Sequence, residues 1–146
     1  MIRKYTKKDR DIVFGMMQEF YQSPAVCHNI PQKNMLATLD EAEKDSPYMD
    51  IFLLECDNDV AGYALTAYTY SNEAGGKVVW IEEIFVKGEF RGRGLGGEFI
   101  TFIKNTYGDF ARIRLEVEES NEGAVRLYKR EGFEPLCYNQ FIIDKH

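Results

Sequence analysis

The stretch WIEEIFVKGEFRGRGLGG, residues 80–97, decides how this chain folds. Its first half belongs to a run, residues 78–86, that is rich in β-branched and aromatic side chains and reads as a largely buried strand. A short polar turn, Lys87-Gly88-Glu89, leads to Arg91-Gly92-Arg93-Gly94-Leu95-Gly96-Gly97. A helical pattern follows at once, with Leu95, Phe99, Phe102 and Ile103 spaced to share one side. Strand, glycine-rich turn and helix together suit an anion. Glycines let the backbone approach it, free N–H groups in the turn donate to it, and the helix dipole favours negative charge at that end.

Working outward, residues 2–5 read as a short first strand. Thr6 is an N-cap, with Asp9 in the first turn, for a helix to about residue 22 whose apolar face is Ile12, Val13, Met16, Met17 and Phe20. Pro24 and Pro31 break residues 23–31 into a loop. A second helix, about residues 32–44, turns Met35, Leu36 and Leu39 inward and ends at Asp45-Ser46-Pro47. The period then becomes strand-like. Residues 50–56 and 60–70 form a hairpin around Asp57-Asn58-Asp59, and Gly75-Gly76 lies in the connection to the strand at Val78. Residues 111–117 make another strand, with Ile113, Leu115 and Val117 alternating. Residues 121–131 make a helix stopped by Gly132 as a left-handed cap, and residues 133–143 supply the last one or two strands.

Several phosphate-binding strings compete for the glycine turn. Gly92-Arg93-Gly94-Leu95-Gly96-Gly97 matches GxGxxG, but too little chain follows for two βαβ halves, and no clear ribose-binding acid stands about 20 residues on. The P-loop string GxxxxGK[ST] does not occur. The pattern that fits is [RQ]-x-x-G-x-[GA], here Arg91-Gly92-Arg93-Gly94-Leu95-Gly96, directly after Ile84-Phe85-Val86. It resembles the signature of the GCN5-related N-acetyltransferases (GNAT), whose turn holds the pyrophosphate of acetyl-CoA.

A second motif strengthens that resemblance. The run Asn121-Glu122-Gly123-Ala124-Val125-Arg126-Leu127-Tyr128-Lys129-Arg130-Glu131-Gly132-Phe133 is similar to the family's N-x-x-A-x-x-[LF]-Y-x-[KR]-x-G-F. The order β-α-α-β-β-β-α-β-α-β is that of the same fold. The resemblance covers residues 60–133 well and the first 50 residues in element order alone. It implies an α/β (α+β) fold in a single domain over residues 1–146. Its sheet would be mixed and mostly antiparallel, six to seven strands flanked by four helices, with two central parallel strands splayed apart. Pantetheine, similar in shape to a dipeptide, would lie in that splay against the backbone of Ile84, Phe85 and Val86. Arg91, Gly92, Arg93, Gly94, Leu95, Gly96 and Gly97 would receive the pyrophosphate. Asn121 would cap its helix, hydrogen-bond the pantetheine amides, or both. Lys129 and Arg130 either approach the 3′-phosphate or decorate the surface.

Acetyl transfer to an amine needs a neutral nucleophile, and an amine of pKa about 10.4 gives up its proton at pH 7 at a cost of about 4.6 kcal/mol. Carboxylates beside the thioester can hold the ammonium and relay that proton. Glu82 and Glu83 stand in an otherwise apolar strand, where an ionised group is expensive to bury. On a regular strand they point to opposite faces, so one at most faces a given cleft. Read structurally, both could lie at an exposed edge or pair with Arg91 or Arg93. Glu82 occupies the position that looks like the catalytic glutamate of the diamine (spermidine/spermine-type) N-acetyltransferases. Tyr128 shares a helix face with Ala124 and Leu127, so it is either a satisfied core tyrosine or, as the resemblance implies, the proton donor to the departing thiolate.

Composition narrows the alternatives. Hydrophobic residues make up 45% and charged ones 29%, which is a globular balance, and no apolar run approaches the about 20 residues of a membrane span. The N-terminus lacks a signal-peptide pattern. Three widely spaced cysteines and two histidines offer neither a disulfide framework nor a metal site, so a reducing cytoplasm is expected and no metal. Neither Cys56 nor Cys137 has a histidine nearby in sequence, and a lone cysteine usually serves as a small buried hydrophobe, which favours direct transfer in a ternary complex over a covalent acyl-cysteine. A net charge of −6 argues against a nucleic-acid surface and is compatible with a cationic substrate. The expected function is therefore acetyl-CoA-dependent N-acetylation of a small cationic primary amine, such as a polyamine or aminoglycoside. Acetylation of a peptide N-terminus or lysine, and a CoA-binding module without turnover, are the alternatives. Monomer and homodimer are both left open.

Overall fold

The hydrophobic period changes from helical to strand-like near residue 49, and the architecture follows that change. The computed structural model describes residues 1–145. Strand β1 (Ile2–Lys4) and a 3-10 turn (Lys7–Asp9) precede α1 (Arg10–Tyr21) and α2 (Gln32–Ala42). Three long strands follow, β2 (Met49–Cys56), β3 (Asp59–Ser71) and β4 (Gly76–Val86). A second 3-10 turn (Gly88–Phe90), α3 (Leu95–Thr106), β5 (Arg112–Leu115) and α4 (Glu122–Arg130) complete the order.

Local chemistry sets most of these boundaries. Asp9 reaches back to the Thr6 N–H at 2.8 Å while Thr6 accepts from the Asp9 N–H, a reciprocal cap on the first turn. Both Asp9 oxygens also accept from the Arg3 guanidinium at 2.9 Å, which ties the first strand to that turn. Asp57 and Asn58, at φ 54° and 67°, reverse the chain between β2 and β3. Gly132, at φ 98°, ends α4 in the left-handed conformation, and the Phe133 N–H returns to the Tyr128 carbonyl.

The sheet runs β1-β2-β3-β4-β5, antiparallel throughout except for the parallel pair β4–β5. Helices α1 and α2 cover one face through Val13, Met16, Met17, Phe20, Met35 and Leu39, packed on Ile51, Leu53, Tyr63 and Phe85. Helix α3 covers the other through Leu95, Phe99, Ile100 and Ile103, packed on Phe52, Leu54, Ala64, Val79 and Ile81. Both faces of β2 are therefore dry. At Gly62, where β3 approaches β4, a Cβ would lie 2.0 Å from the Phe85 carbonyl oxygen, so no side chain fits there.

Three expectations are corrected. Ile12 and Leu36 are exposed rather than inward. Each buried stripe is narrow, Val13-Met16-Met17-Phe20 and Met35-Leu39, and the neighbouring residue is rotated about 100° out of it. Strand β5 stops at Leu115, so Val117 lies beyond it and is exposed. The sheet has five strands rather than six or seven, because residues 133–145 form none. Pro135 removes a donor from this segment, and Leu136, Phe141, Ile142 and Ile143 beyond it are exposed. The four helices and the parting parallel strands are as expected.

Candidate active site

Strand β4 is where the site begins. Against β5 it pairs in parallel register from Val78↔Arg112 to Ile81↔Leu115 and no further. Beyond Ile81 the two strands part, and the edge of β4 from Glu82 to Val86 carries no ladder on that side among the described residues. Against β3 the register jumps, with Ile81 opposite Thr66 and Glu83 opposite Leu65, so Glu82 is an extra residue with no partner. This is a β-bulge, and it shifts the alternation of the strand. Val79 and Ile81 enter the core under α3, Glu83 and Phe85 turn to the side of α1, and Ile84 and Val86 return to the α3 side.

The bulge breaks the regular alternation behind the expectation that one glutamate at most faces a given cleft. Both line one small cavity, about 50 Å³, between the parting strands. Glu116 and Val117, just after β5, Asn121, Ala124 and Tyr128 of the α4 region, and Phe20 and Ala25 from the α1 side close around it. Among the described residues neither glutamate pairs with an arginine.

The two carboxylates differ in their surroundings. Glu83 is anchored: one oxygen accepts from the Tyr21 hydroxyl at 2.5 Å and the other from Tyr63 at 2.6 Å. Loss of water pushes its pKa up and the two phenols pull against that push. The same burial and the Glu83 charge hold both tyrosines protonated, well above the usual phenol range. Glu82 sits at the mouth of the cavity and accepts no side-chain hydrogen bond among the described residues. Its pKa is raised by partial loss of water, then by Glu116 and by Glu83. Tyr128 also lines the cavity, and burial raises its pKa, so the phenol keeps its proton through the neutral range. Its ring packs edge-on against Phe133 with centroids 5.8 Å apart. Asn121 caps α4 through its side-chain oxygen, which accepts from the Ala124 N–H at 3.4 Å.

The glycine turn divides into two kinds of glycine. Gly92 and Gly94 have φ of 78° and 80°, and a Cβ on either would meet nothing within 4 Å, so the space beside them is open. Gly96 and Gly97 serve packing: a Cβ on Gly96 would lie 2.8 Å from the Leu127 side chain, and one on Gly97 3.4 Å from the Glu131 carboxylate. The first helical bond of α3 runs from the Glu98 N–H to the Gly94 carbonyl, leaving the N–H groups of Leu95, Gly96 and Gly97 outside the helix ladder. Leu95 itself buries its side chain in the core, so it can contribute only backbone here. Arg91 donates from Nε to the Val86 carbonyl at 3.1 Å, which folds the turn back on the strand. Arg93 bonds Asp57 at 3.1 Å and stacks on Phe90, so its charge is already half engaged.

Ile84, Phe85 and Val86 border the open edge of β4; the Phe85 side chain is buried, which leaves the backbone as the part available there. Tyr21, Tyr63 and Glu116 are the site residues that sequence reasoning did not single out. Nothing in the local sequence around Tyr21 and Tyr63 marks them, since their shared partner Glu83 is distant in the chain. Glu116 carried a faint signal, an acid alternating with Leu115 and Val117 at a strand end. The loop before α2 is clasped to the same region, with the Cys27 thiol donating to Glu118 at 2.9 Å. That contact raises the pKa of Cys27 and keeps it from being a thiolate.

Comparison with known proteins agrees with this geometry. The sequence model of the Acetyltransferase (GNAT) family matches residues 15–133. A thialysine N-epsilon-acetyltransferase of Bos taurus is 35% identical over 79 residues, 53% of this chain and 46% of that protein. The match thus spans about half the length of that relative. A spermine/spermidine N(1)-acetyltransferase of Bacillus subtilis is 29% identical over 101 residues, 64% of this chain and 65% of the other. Among solved structures, an aminoglycoside N-acetyltransferase in complex with CoA superposes with a TM-score of 0.79 at 20% identity, covering 100% of this chain and 95% of that one. That likeness is one of fold. Two motifs in order, a bulged strand parting from its parallel neighbour and a family match over most of the chain lead to one conclusion: this protein belongs to the GNAT acetyltransferase family.

Proposed function

We propose that this chain is an acetyl-CoA-dependent N-acetyltransferase whose acceptor is the primary amine of a small cationic molecule, polyamine- or aminoglycoside-like. The observation that carries the reading is the cavity at the bulge, which Glu82, Glu83, Glu116 and Tyr128 all line at the point where β4 and β5 part. Names of relatives point the same way, since thialysine, spermine and aminoglycosides all carry amines that are cations at neutral pH.

The residues present fit the cofactor. The unpaired edge of β4 can pair with the amides of a pantetheine arm as it would with an added strand. Gly92 and Gly94 leave room for a pyrophosphate, the free N–H groups at the start of α3 point the right polarity at it, and Arg91 adds charge. Acetyl-CoA supplies the activated acyl group when bound. Around it, Glu82 holds the incoming ammonium and takes its proton, directly or through water; its raised pKa makes it a stronger base than an ordinary carboxylate. Glu116 adds negative charge opposite it, which favours a cationic acceptor. Glu83, held by two phenols, fixes the bulge rather than moving a proton. Tyr128 donates its phenolic proton to the leaving sulfur. Cys27, protonated and bonded to Glu118, is not the nucleophile, so transfer is direct. The three cysteines are all free thiols, which fits a reducing compartment such as the cytoplasm.

The test is release of free CoA thiol from acetyl-CoA with a panel of polyamines, aminoglycosides, amino acids and peptides. Amine-dependent release, strongest with the small cations, is expected. Release with peptides alone would shift the acceptor to a peptide amine. No release with any amine, alongside a clear acetyl-CoA-induced rise in melting temperature, would make the chain a binding module.

A further inference from the structure

Just below the point where β4 and β5 part, the two strands carry a pair of side chains that the reaction leaves unused. Trp80 of β4 stands in register with Arg114 of β5, and the Arg114 guanidinium lies over the Trp80 ring, 4.0 Å from its centroid. Both residues are half-buried. A stack of this kind fixes the plane of a guanidinium without using its N–H donors. Among the described residues Arg114 makes no ion pair and no side-chain hydrogen bond. The carboxylate of Glu73 does not answer it, because one Glu73 oxygen accepts from Arg112 at 2.9 Å and the other from Tyr138 at 2.6 Å.

Strand alternation decides which face this pair occupies. Val79 and Ile81 enter the core under α3, and Ile113 and Leu115 pack against the same core. Trp80 and Arg114 therefore stand on the opposite face, the one that α1 and α2 cover further along the sheet. Phe20 and Ala25 close the cavity from that side, and Glu116, two residues beyond Arg114, lines it with Glu82 and Glu83. Two residues of strand span about 6.6 Å. Carboxylates at the cavity are thus followed, at that spacing, by an oriented guanidinium with its donors free.

We infer that Arg114 receives a carboxylate of the acceptor, and that the acceptor is an amino acid whose reactive amine ends its side chain. The inference rests on the function proposed above, with the amine held at Glu82. A guanidinium binds a carboxylate through two parallel N–H···O bonds, and Trp80 has already set the plane in which they form. Lysine, with its amine about four methylenes from the carbon that bears the acid, spans a gap of this size. A diamine of the same length leaves the guanidinium unanswered and sets a second ammonium against it, so the site discriminates against that compound. The chemistry of transfer is unchanged. The nitrogen bonds the acetyl carbon and the carbon–sulfur bond breaks; of the two protons the ammonium gives up, one balances the departing thiolate and one goes to solvent.

Initial rates of CoA release with lysine and with 1,5-diaminopentane, which is lysine without its carboxylate, isolate the group in question. Wild type should show the lower KM for lysine. Arg114→Gln should raise the lysine KM about tenfold or more, leave the diamine KM within about twofold, and keep the rise in melting temperature with acetyl-CoA. Arg114→Lys, which keeps the charge and loses the fork, should recover part of the lysine KM. A packing role for Arg114 would move both amines together, so equal changes for the two overturn the inference. An unchanged lysine KM in Arg114→Gln overturns it, and so does a wild-type preference for the diamine. Release with other amines but not with lysine overturns it too and leaves the proposed function standing; no release with any amine removes that function and the inference with it.

Discussion

Glu82 owes its chemistry to company and position. Partial loss of water and the nearby Glu116 and Glu83 raise its pKa, so it binds a proton more readily than a free carboxylate does. Glu82→Gln removes the charge and nearly keeps the shape. It should fold, bind acetyl-CoA with little change, and lose about 10²–10⁴-fold in rate near neutral pH, recovering partly as pH rises toward the amine's own pKa. A pH–rate profile beside Glu83→Gln checks this; a deficit confined to Glu83→Gln would exchange the two roles. Tyr128→Phe keeps the ring against Phe133 and removes only the donor. It should bind acetyl-CoA normally and turn over about 10²-fold or more slower, and unchanged kcat would return Tyr128 to the core. Glu83 makes a different prediction. Its folded pKa lies above its unfolded one, so the folded state holds the extra proton between those two values, and stability falls as pH rises through that window. Asp9, lowered by Arg3, acts with the opposite sign: its stabilisation is present above its unfolded pKa and is lost as pH falls. Melting temperatures of Glu83→Gln from acid to neutral pH should lose the Glu83 component and keep the acid loss due to Asp9. A profile identical to wild type would mean that Glu83 is not desolvated.

Elements explain which parts of the site could be read from the sequence. The strand, the glycine turn and α3 were legible because each is encoded locally, by β-branched content, by glycines where φ is positive, and by a 3.6-residue period. The caps at Thr6-Asp9 and Gly132 were legible for the same reason. The bulge was not. Nothing in Ile81-Glu82-Glu83-Ile84 marks Glu82 as the extra residue; that depends on how β4 registers against Thr66 and Leu65 of β3. Reading the strand as regular therefore sent the two glutamates to opposite faces. The tyrosine pair on Glu83 was hidden likewise, since it joins residues 62 and 20 positions apart. The tail reads as strand by composition, but residues 133–145 pair with no strand among the described residues. For the turn, the test is Gly94→Val. Its φ of 80° makes any β-branched side chain costly there, by about 1–3 kcal/mol, and the side chain would enter the open space beside the turn. The variant should melt lower and lose the stabilisation that acetyl-CoA gives wild type, read as the shift in melting temperature with added ligand. A normal shift would place the pyrophosphate elsewhere.

At the scale of the whole molecule, two helical layers hold a sheet whose parallel strands β4 and β5 part, and the parting leaves an unpaired edge on β4 beside a small cavity. Among the described residues no helix is long and apolar enough to cross a membrane. Glu82 and Tyr128 line one cavity at that parting, and the proposed function has amine and acyl donor meet there, with no residue carrying the acetyl group between them. The direct measurement is the initial rate of CoA release over a grid of acetyl-CoA and polyamine concentrations. The account predicts release that requires the amine, saturates in both substrates, and gives reciprocal plots whose lines intersect, as a ternary complex requires. Parallel lines, with one acetyl group retained on the protein in the absence of amine, would contradict it.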